Sequence, residues 1–198
     1  MKPMKHARTI TLSLLCLFVY AGAASAHPGG HAPTGFGGGL AHPLLGLDHL
    51  LAMIAVGLWA AQQGGRALWA VPAAFVGAMA LGGGLAASGL GGSGLALPQV
   101  ETGIAASVLV LGLLIATRQR WAVTAGMAVA ASFALFHGYA HALEMPLAAS
   151  PALYALGFLM ATVLLHGAGI AASVVGRYAI QMAGAAIAAS GLVMLLGG

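Results

Sequence analysis

The chain has 198 residues, of which 61% are hydrophobic and only 5% charged, with a formal net charge of +4. A soluble domain carries roughly a quarter charged residues, so this chain has too few to cover a water-facing surface. The basic excess comes from Lys2, Lys5 and Arg8 ahead of the first apolar run; without them four arginines face three acids, which gives no nucleic-acid-binding face.

The N-terminus has the three parts of a secretory signal peptide: basic residues through Arg8, an apolar run from about Ile10 to Tyr20, and Ala24-Ser25-Ala26 before a cleavage point. The expected organisation is a signal peptide over 1–26 and a transmembrane domain over 27–198, with a retained N-terminal anchor as the alternative. Cys16, the single cysteine, falls inside the signal. The mature chain is then expected to hold no disulfide, thiolate metal site or cysteine nucleophile. Cleavage leaves His27 first, in His27-Pro-Gly-Gly-His31. An α-amine with the His27 imidazole can chelate a metal and His31 can add a third nitrogen, although a plain Gly/Pro linker fits the same residues.

Six apolar stretches follow, near residues 44–61, 67–87, 99–116, 121–142, 151–172 and 178–196. Each is long enough to cross a bilayer as a helix, and none alternates with the period of a barrel strand. The predicted fold is therefore all-α: a polytopic membrane protein of six transmembrane helices. If the N-terminus starts outside, the connectors holding Arg66, Arg118, Arg120 and Arg177 all face the cytoplasm, while the other two connectors hold no basic residue. That satisfies the positive-inside rule and puts both mature termini on the outer side of the membrane. The 31 glycines suit close helix packing. Gly82-Gly83-Gly84 and the glycines over 89–94 lack the Lys-Ser/Thr of a phosphate-binding loop, and are expected to form a flexible outer turn. No segment between the spans is large enough for an ATP-hydrolysing domain. Transport, if any, is expected to be passive or ion-coupled unless a separate subunit supplies energy.

The chemistry sits in two polar clusters. His42-Pro-Leu-Leu-Gly-Leu-Asp48-His49 leads into the first span, and His137-Gly-Tyr-Ala-His141-Ala-Leu-Glu144 closes the fourth. With Pro43 at a helix N1 position, His42 marks the outer mouth, and Asp48 and His49 lie roughly 8–9 Å further in at 1.5 Å per residue. His137 and His141 share a helix face, with Glu144 one turn beyond. Glu101 opens the third span from the same side. Ionisable groups at membrane depth are costly and usually mark a site or pathway. Imidazole with carboxylate is a donor set for Ni, Co, Zn or Cu more than for Mg or Ca. Against this stands the plainer possibility that the histidines cap helix ends and bond backbone carbonyls. His166, two-thirds of the way across the fifth span, is either an exit-path ligand or a histidine bonded to a neighbouring helix. Met53, Met79, Met127, Met160 and Met182 are scattered, and are expected to be packing rather than a copper relay.

The first cluster resembles the HPxxGxDH signature of the HupE/UreJ family, and Phe136-His137-Gly-Tyr-Ala-His141-Ala-Leu-Glu144 resembles that family's FHGxAHGxE. Ala142 stands where the family usually has glycine. The resemblance covers essentially the whole chain and implies a nickel permease of the bacterial inner membrane, its mature termini periplasmic, serving hydrogenase or urease maturation, with Ni²⁺ as cargo rather than cofactor and no enzymatic activity. By motif match it carries His42, Asp48, His49, His137, His141 and Glu144 over as metal residues, and Glu101 resembles a further functional acid. The residues by themselves point to a divalent-metal site and not to a particular metal, so Co²⁺ and Zn²⁺ stay open. Two other classes compete: a membrane-embedded zinc hydrolase with Glu144 as general base, and a sensor or assembly subunit that binds metal without moving it.

Overall fold

The computed structural model describes residues 35–89, 97–146 and 150–197. The signal peptide over 1–26 with Cys16, and the histidines His27 and His31, lie outside the described residues. Among those residues every regular element is helical. In chain order these are α1 (Gly35–Leu45), α2 (Leu47–Gln63), α3 (Ala67–Ala87), α4 (Val100–Ala116), α5 (Val123–Leu143), α6 (Pro151–Ala172, extended by a 3₁₀ turn over Ser173–Val175) and α7 (Arg177–Gly197).

Among the described residues four helices are long and apolar enough to cross a membrane: α3, α5, α6 with its 3₁₀ extension, and α7. α4 is apolar but only 17 residues long. The first predicted span is built differently from expectation. It is a broken pair, α1 and α2, bent by 85°, and Pro43 lies inside α1 instead of opening the span. The proline has no N–H to give to the carbonyl four residues back, which weakens the end of α1. Two residues later the helix stops, and Gly46 adopts an extended conformation as the N-cap of α2. His42 therefore belongs to the helix before the bend, while Asp48 and His49 occupy the first turn of the helix after it. A depth counted straight along one helix does not apply to them.

α2 is the centre of the molecule. From Leu51 to Ala60 every residue except Ile54 is buried, which is what an all-round apolar helix requires. Around it α1 and α6 pack together, α3 pairs with α5, and α4 pairs with α7. Reciprocal glycines set these approaches. A Cβ on Gly82 of α3 would run into the Leu135 carbonyl of α5, and one on Gly138 of α5 would run into the Met79 carbonyl of α3. Gly57 of α2 and Gly169 of α6 face the His166 and Ile54 carbonyls in the same way. Small residues let membrane helices come into backbone contact, and packing rather than a hydrophobic drive holds them together. This corrects the expectation for Gly82-Gly83-Gly84. They are not a turn but part of α3, where Gly82 and Gly83 meet the Leu135 and Gly138 carbonyls of α5 and Gly84 faces open space.

The two ends of the bundle differ. At one end Trp59 Nε1–H donates to the Gln119 carbonyl at 3.2 Å, Gln62 Nε2–H to the Ile115 carbonyl at 3.1 Å, and Gln181 Nε2–H to the Ala116 carbonyl at 3.1 Å. These bonds tie α2 and α7 to the end of α4, and at that end Arg66, Arg118 and Arg120 are exposed in the connectors and Arg177 is exposed at the start of α7. The first turn of α2 and the last turn of α5, which carry the motif histidines, lie at the other end.

Candidate metal centre

Gly46 lets the chain turn so that α1 and α2 both present histidines to the last two turns of α5. A Cβ at Gly46 would sit 2.9 Å from Asp48 Oδ1 and 3.1 Å from His49 Nδ1, so the glycine of the first motif makes room for the pair that follows it. Behind the bend, Asp48 Oδ1 accepts from both the backbone N–H and Nδ1–H of His49. Across the bundle, Gly138 brings α5 against α3 between His137 and His141.

Two overlapping donor groups result. His49, His137 and His141 are all buried and each offers a ligand atom within 4.8 Å of the others. His42, His141 and Glu144 form a second group by the same measure, with His42 partly buried and Glu144 exposed. His141 belongs to both, its ring centroid lying 4.7 Å from that of His42 and 4.0 Å from that of His49. Nitrogens bound at about 2.1 Å to one ion stand roughly 3.4 Å apart, so side-chain rotations on the order of an ångström close either set.

The proton positions follow from the partners. His49 Nδ1–H is committed to the Asp48 carboxylate at 2.7 Å, which leaves the lone pair of the neutral ring on Nε2; that atom is buried without a partner. His137 is fixed by a serine. Ser107 Oγ lies 2.6 Å from the Ile104 carbonyl, to which its one proton must go. Its other contact, 2.9 Å to His137 Nε2, then requires Nε2–H to donate to the serine oxygen. The lone pair of His137 is on Nδ1, also buried and unpartnered. Ligating histidines are typically oriented in this way through the other ring nitrogen. Buried polar atoms are rarely left unpaired, so three unpartnered ring nitrogens side by side, Nε2 of His49, Nδ1 of His137 and Nε2 of His141, are the mark of a missing partner that accepts lone pairs. A metal cation fits them.

At the outer group, His42 Nε2–H donates to Glu144 Oε2 at 3.0 Å, and His141 Nδ1 lies 3.4 Å from the same oxygen. Glu144 is the C-cap residue of α5, beyond the span. Hydrogen bonds from His141 and His42 hold its carboxyl well below the ordinary value of 4.5, so it is an anion throughout the physiological range.

Of the remaining predicted residues, Glu101 is in the first turn of α4, exposed, and in neither group. His166 is buried in α6, and its Nδ1–H donates to the Met53 carbonyl of α2 at 2.8 Å. Ser107 was not singled out in the sequence, although a hydroxyl in the middle of the apolar α4 was a usable signal. Tyr154 and Phe158 of α6 were also missed; their rings lie 5.8 Å from His42 and 4.0 Å from His141 respectively. No sequence pattern marks them, because α6 reaches the site through its packing on α1, α2 and α3.

The family model described as HupE / UreJ protein matches residues 14–194. A curated relative, Protein HupE of Rhizobium leguminosarum bv. viciae, is 44% identical over 200 residues, spanning 98% of this chain and 100% of the relative. No solved structure matches. With both signature clusters in place and a match over nearly its whole length, the chain belongs to the HupE/UreJ family.

Proposed function

We propose that the chain is a permease for a divalent transition metal, with Ni²⁺ the first choice, in the bacterial inner membrane. The observation that carries the proposal is the shared histidine. His141 joins an exposed, anionic group (His42, Glu144) to a buried group of three imidazoles whose lone pairs lack a partner. An arriving hydrated dication is attracted first to Glu144, which is anionic and about half exposed. His42 and His141 replace part of its water shell. Rotation of His141 then passes the ion to His49 and His137, where Asp48 supplies the compensating negative charge through the His49 ring. Imidazole donors favour late first-row metals over Mg²⁺ and Ca²⁺. The choice of nickel, and of hydrogenase or urease maturation as the destination, rests on family resemblance.

In this reading the broken pair α1–α2 and the short α4 complete six membrane segments with α3, α5, α6 and α7. The arginine end faces the cytoplasm and the histidine end the periplasm, in keeping with the positive-inside rule. The test is uptake of radioactive nickel by proteoliposomes holding the purified chain. Uptake down the gradient, lost in His141→Ala, is expected. Binding without uptake would instead identify a sensor or assembly subunit, and turnover of a substrate a hydrolase.

A further inference from the structure

Below the three histidines, on the side toward the arginine end, lies a second cluster that neither signature motif contains. Thr162 of α6 is fully buried, and its Oγ1 sits 3.5 Å from Met53 Sδ of α2 and 3.8 Å from Met79 Sδ of α3. Two thioethers from different helices thus flank one hydroxyl in the core. One helical turn on, on the same face of α6, is His166. Its Nδ1–H is given to the Met53 carbonyl, which accepts only, so the neutral ring carries its lone pair on Nε2. That nitrogen is buried without a partner, and the residue is 2% exposed.

Phe75 stands between the two clusters. Its fully buried ring has its centroid 5.6 Å from that of His137 and 5.1 Å from that of His166. Met53 follows His49 by four residues on α2, roughly 6 Å deeper at 1.5 Å per residue. A cleft of about 370 Å³ between α3, α5 and α6 has both His141 and Met79 in its wall, so the histidine site and the sulfur site border one space.

We propose that His166, Met53, Met79 and Thr162 form a second metal site behind Phe75, which receives the divalent transition-metal ion from the three histidines. This rests on the permease reading above. The two sites differ in a way that gives direction. All three acids of the chain, Asp48, Glu101 and Glu144, lie outside the deeper cluster. A dication there meets only neutral donors, and binds more weakly than beside Asp48 and Glu144. Conduction needs sites favourable enough to enter and weak enough to leave, and the loss of carboxylates inward supplies that gradient. The donors also select. Thioether and imidazole suit soft and borderline metals, whereas Mg²⁺ and Ca²⁺ require oxygen, and the single hydroxyl of Thr162 does not meet that need. Phe75 closes the direct line between the sites and must turn for the ion to pass.

X-ray absorption at the nickel edge tests the site. In a Cys16→Ser background methionines are the sole sulfur donors, and the chain loaded with saturating Ni²⁺ is expected to show a sulfur neighbour to nickel. In Met53→Leu/Met79→Leu, which keeps apolar volume, the sulfur signal is expected to vanish while the nitrogen signal stays. Absence of sulfur in the parent, or its persistence in the double variant, overturns the site. Uptake tests its place on the route. His166→Asn keeps a side-chain N–H for the Met53 carbonyl and removes only the lone pair. Its nickel uptake is expected to fall by about tenfold or more, the scale for a lost metal contact, with the tighter binding at the three histidines retained and the weaker, deeper binding lost from the titration. Uptake equal to the parent in both variants removes the cluster from the route. A parent that binds nickel but does not transport it defeats the permease reading instead, and the sulfur signal then decides the site alone.

Discussion

One oxygen of Asp48 takes two bonds from its neighbour: Oδ1 accepts the backbone N–H and the Nδ1–H of His49, both at 2.7 Å. The acid thus pins the imidazole from two directions and fixes which nitrogen bears the lone pair, while adding electron density to the ring. Its side chain is 28% exposed against 7% for His49, so the charge stays partly solvated while the imidazole is buried. In the proposed metal site the carboxylate orients the His49 ring and need not touch the ion itself.

Asp48→Ala is therefore expected to abolish uptake while the protein still inserts and accumulates. Asp48→Asn keeps an oxygen that can accept from His49 but loses the charge, and should be intermediate. Removing a partner that orients a metal ligand costs about 10–100-fold in affinity. Calorimetric titration with Ni²⁺ should rank the parent above Asn and Asn above Ala. Equal affinities would remove Asp48 from the site.

Ser107→Ala tests the other orienting bond. His137 Nε2–H would lose its acceptor in a fully buried position, a cost of about 1–3 kcal/mol. With neither ring nitrogen partnered, nothing holds the proton on Nε2, and whatever share moves to Nδ1 blocks the nitrogen proposed for metal. Nickel affinity should fall by about tenfold, and imidazole nitrogen NMR should show His137 in the other tautomer or a mixture. A spectrum like the parent's would show that the serine does not set the proton position.

The clusters were legible because charge is so scarce here that each acid beside a histidine stands out, and because i, i+4 spacing alone puts His137 and His141 on one face. The bend at Gly46 was not, since an apolar run reads the same whether it is straight or follows a break. Pro43 suits a helix start and a helix end equally well in sequence. The role of Gly82 and Gly83 was hidden for a related reason: clustered glycines signal turns in water, but between membrane helices they signal contact, and only the partner helix decides. Met53, Met79 and Thr162 come from three helices, so no one-dimensional spacing links them.

Glycines at contacts and glycines in open space should respond oppositely to alanine. Gly138→Ala drives a Cβ into the Met79 carbonyl, so α3 and α5 must part, and His137 and His141 move with α5. Gly77 is also helical but has nothing within 4 Å of an added Cβ. There alanine should gain up to about 1 kcal/mol in helix propensity. Thermal unfolding in detergent, followed by size-exclusion chromatography, should place Gly138→Ala well below the parent and Gly77→Ala at or above it. Comparable stability of the two variants would mean that the α3–α5 approach is looser than described.

The last prediction separates carboxylate from imidazole by pH. The Glu144 carboxyl is held below its ordinary 4.5 by hydrogen bonds from His141 and His42. A lowered value means that the stabilisation it provides is complete above the unfolded value and is lost only as pH falls through the lower folded one. From about pH 7 to pH 5 the carboxylate therefore keeps its charge. The anion's contribution to nickel binding is then constant across that interval. Glu144→Gln should bind more weakly than the parent by the same factor at every pH from about 7 to 5, since an arriving dication loses its first anion. Calorimetric titration with Ni²⁺ of both proteins at several pH values measures that factor. If the ratio of the two affinities instead shrinks as pH falls toward 5, Glu144 is being protonated in this range, and the contacts that hold it as an anion are weaker than His42 and His141 make them.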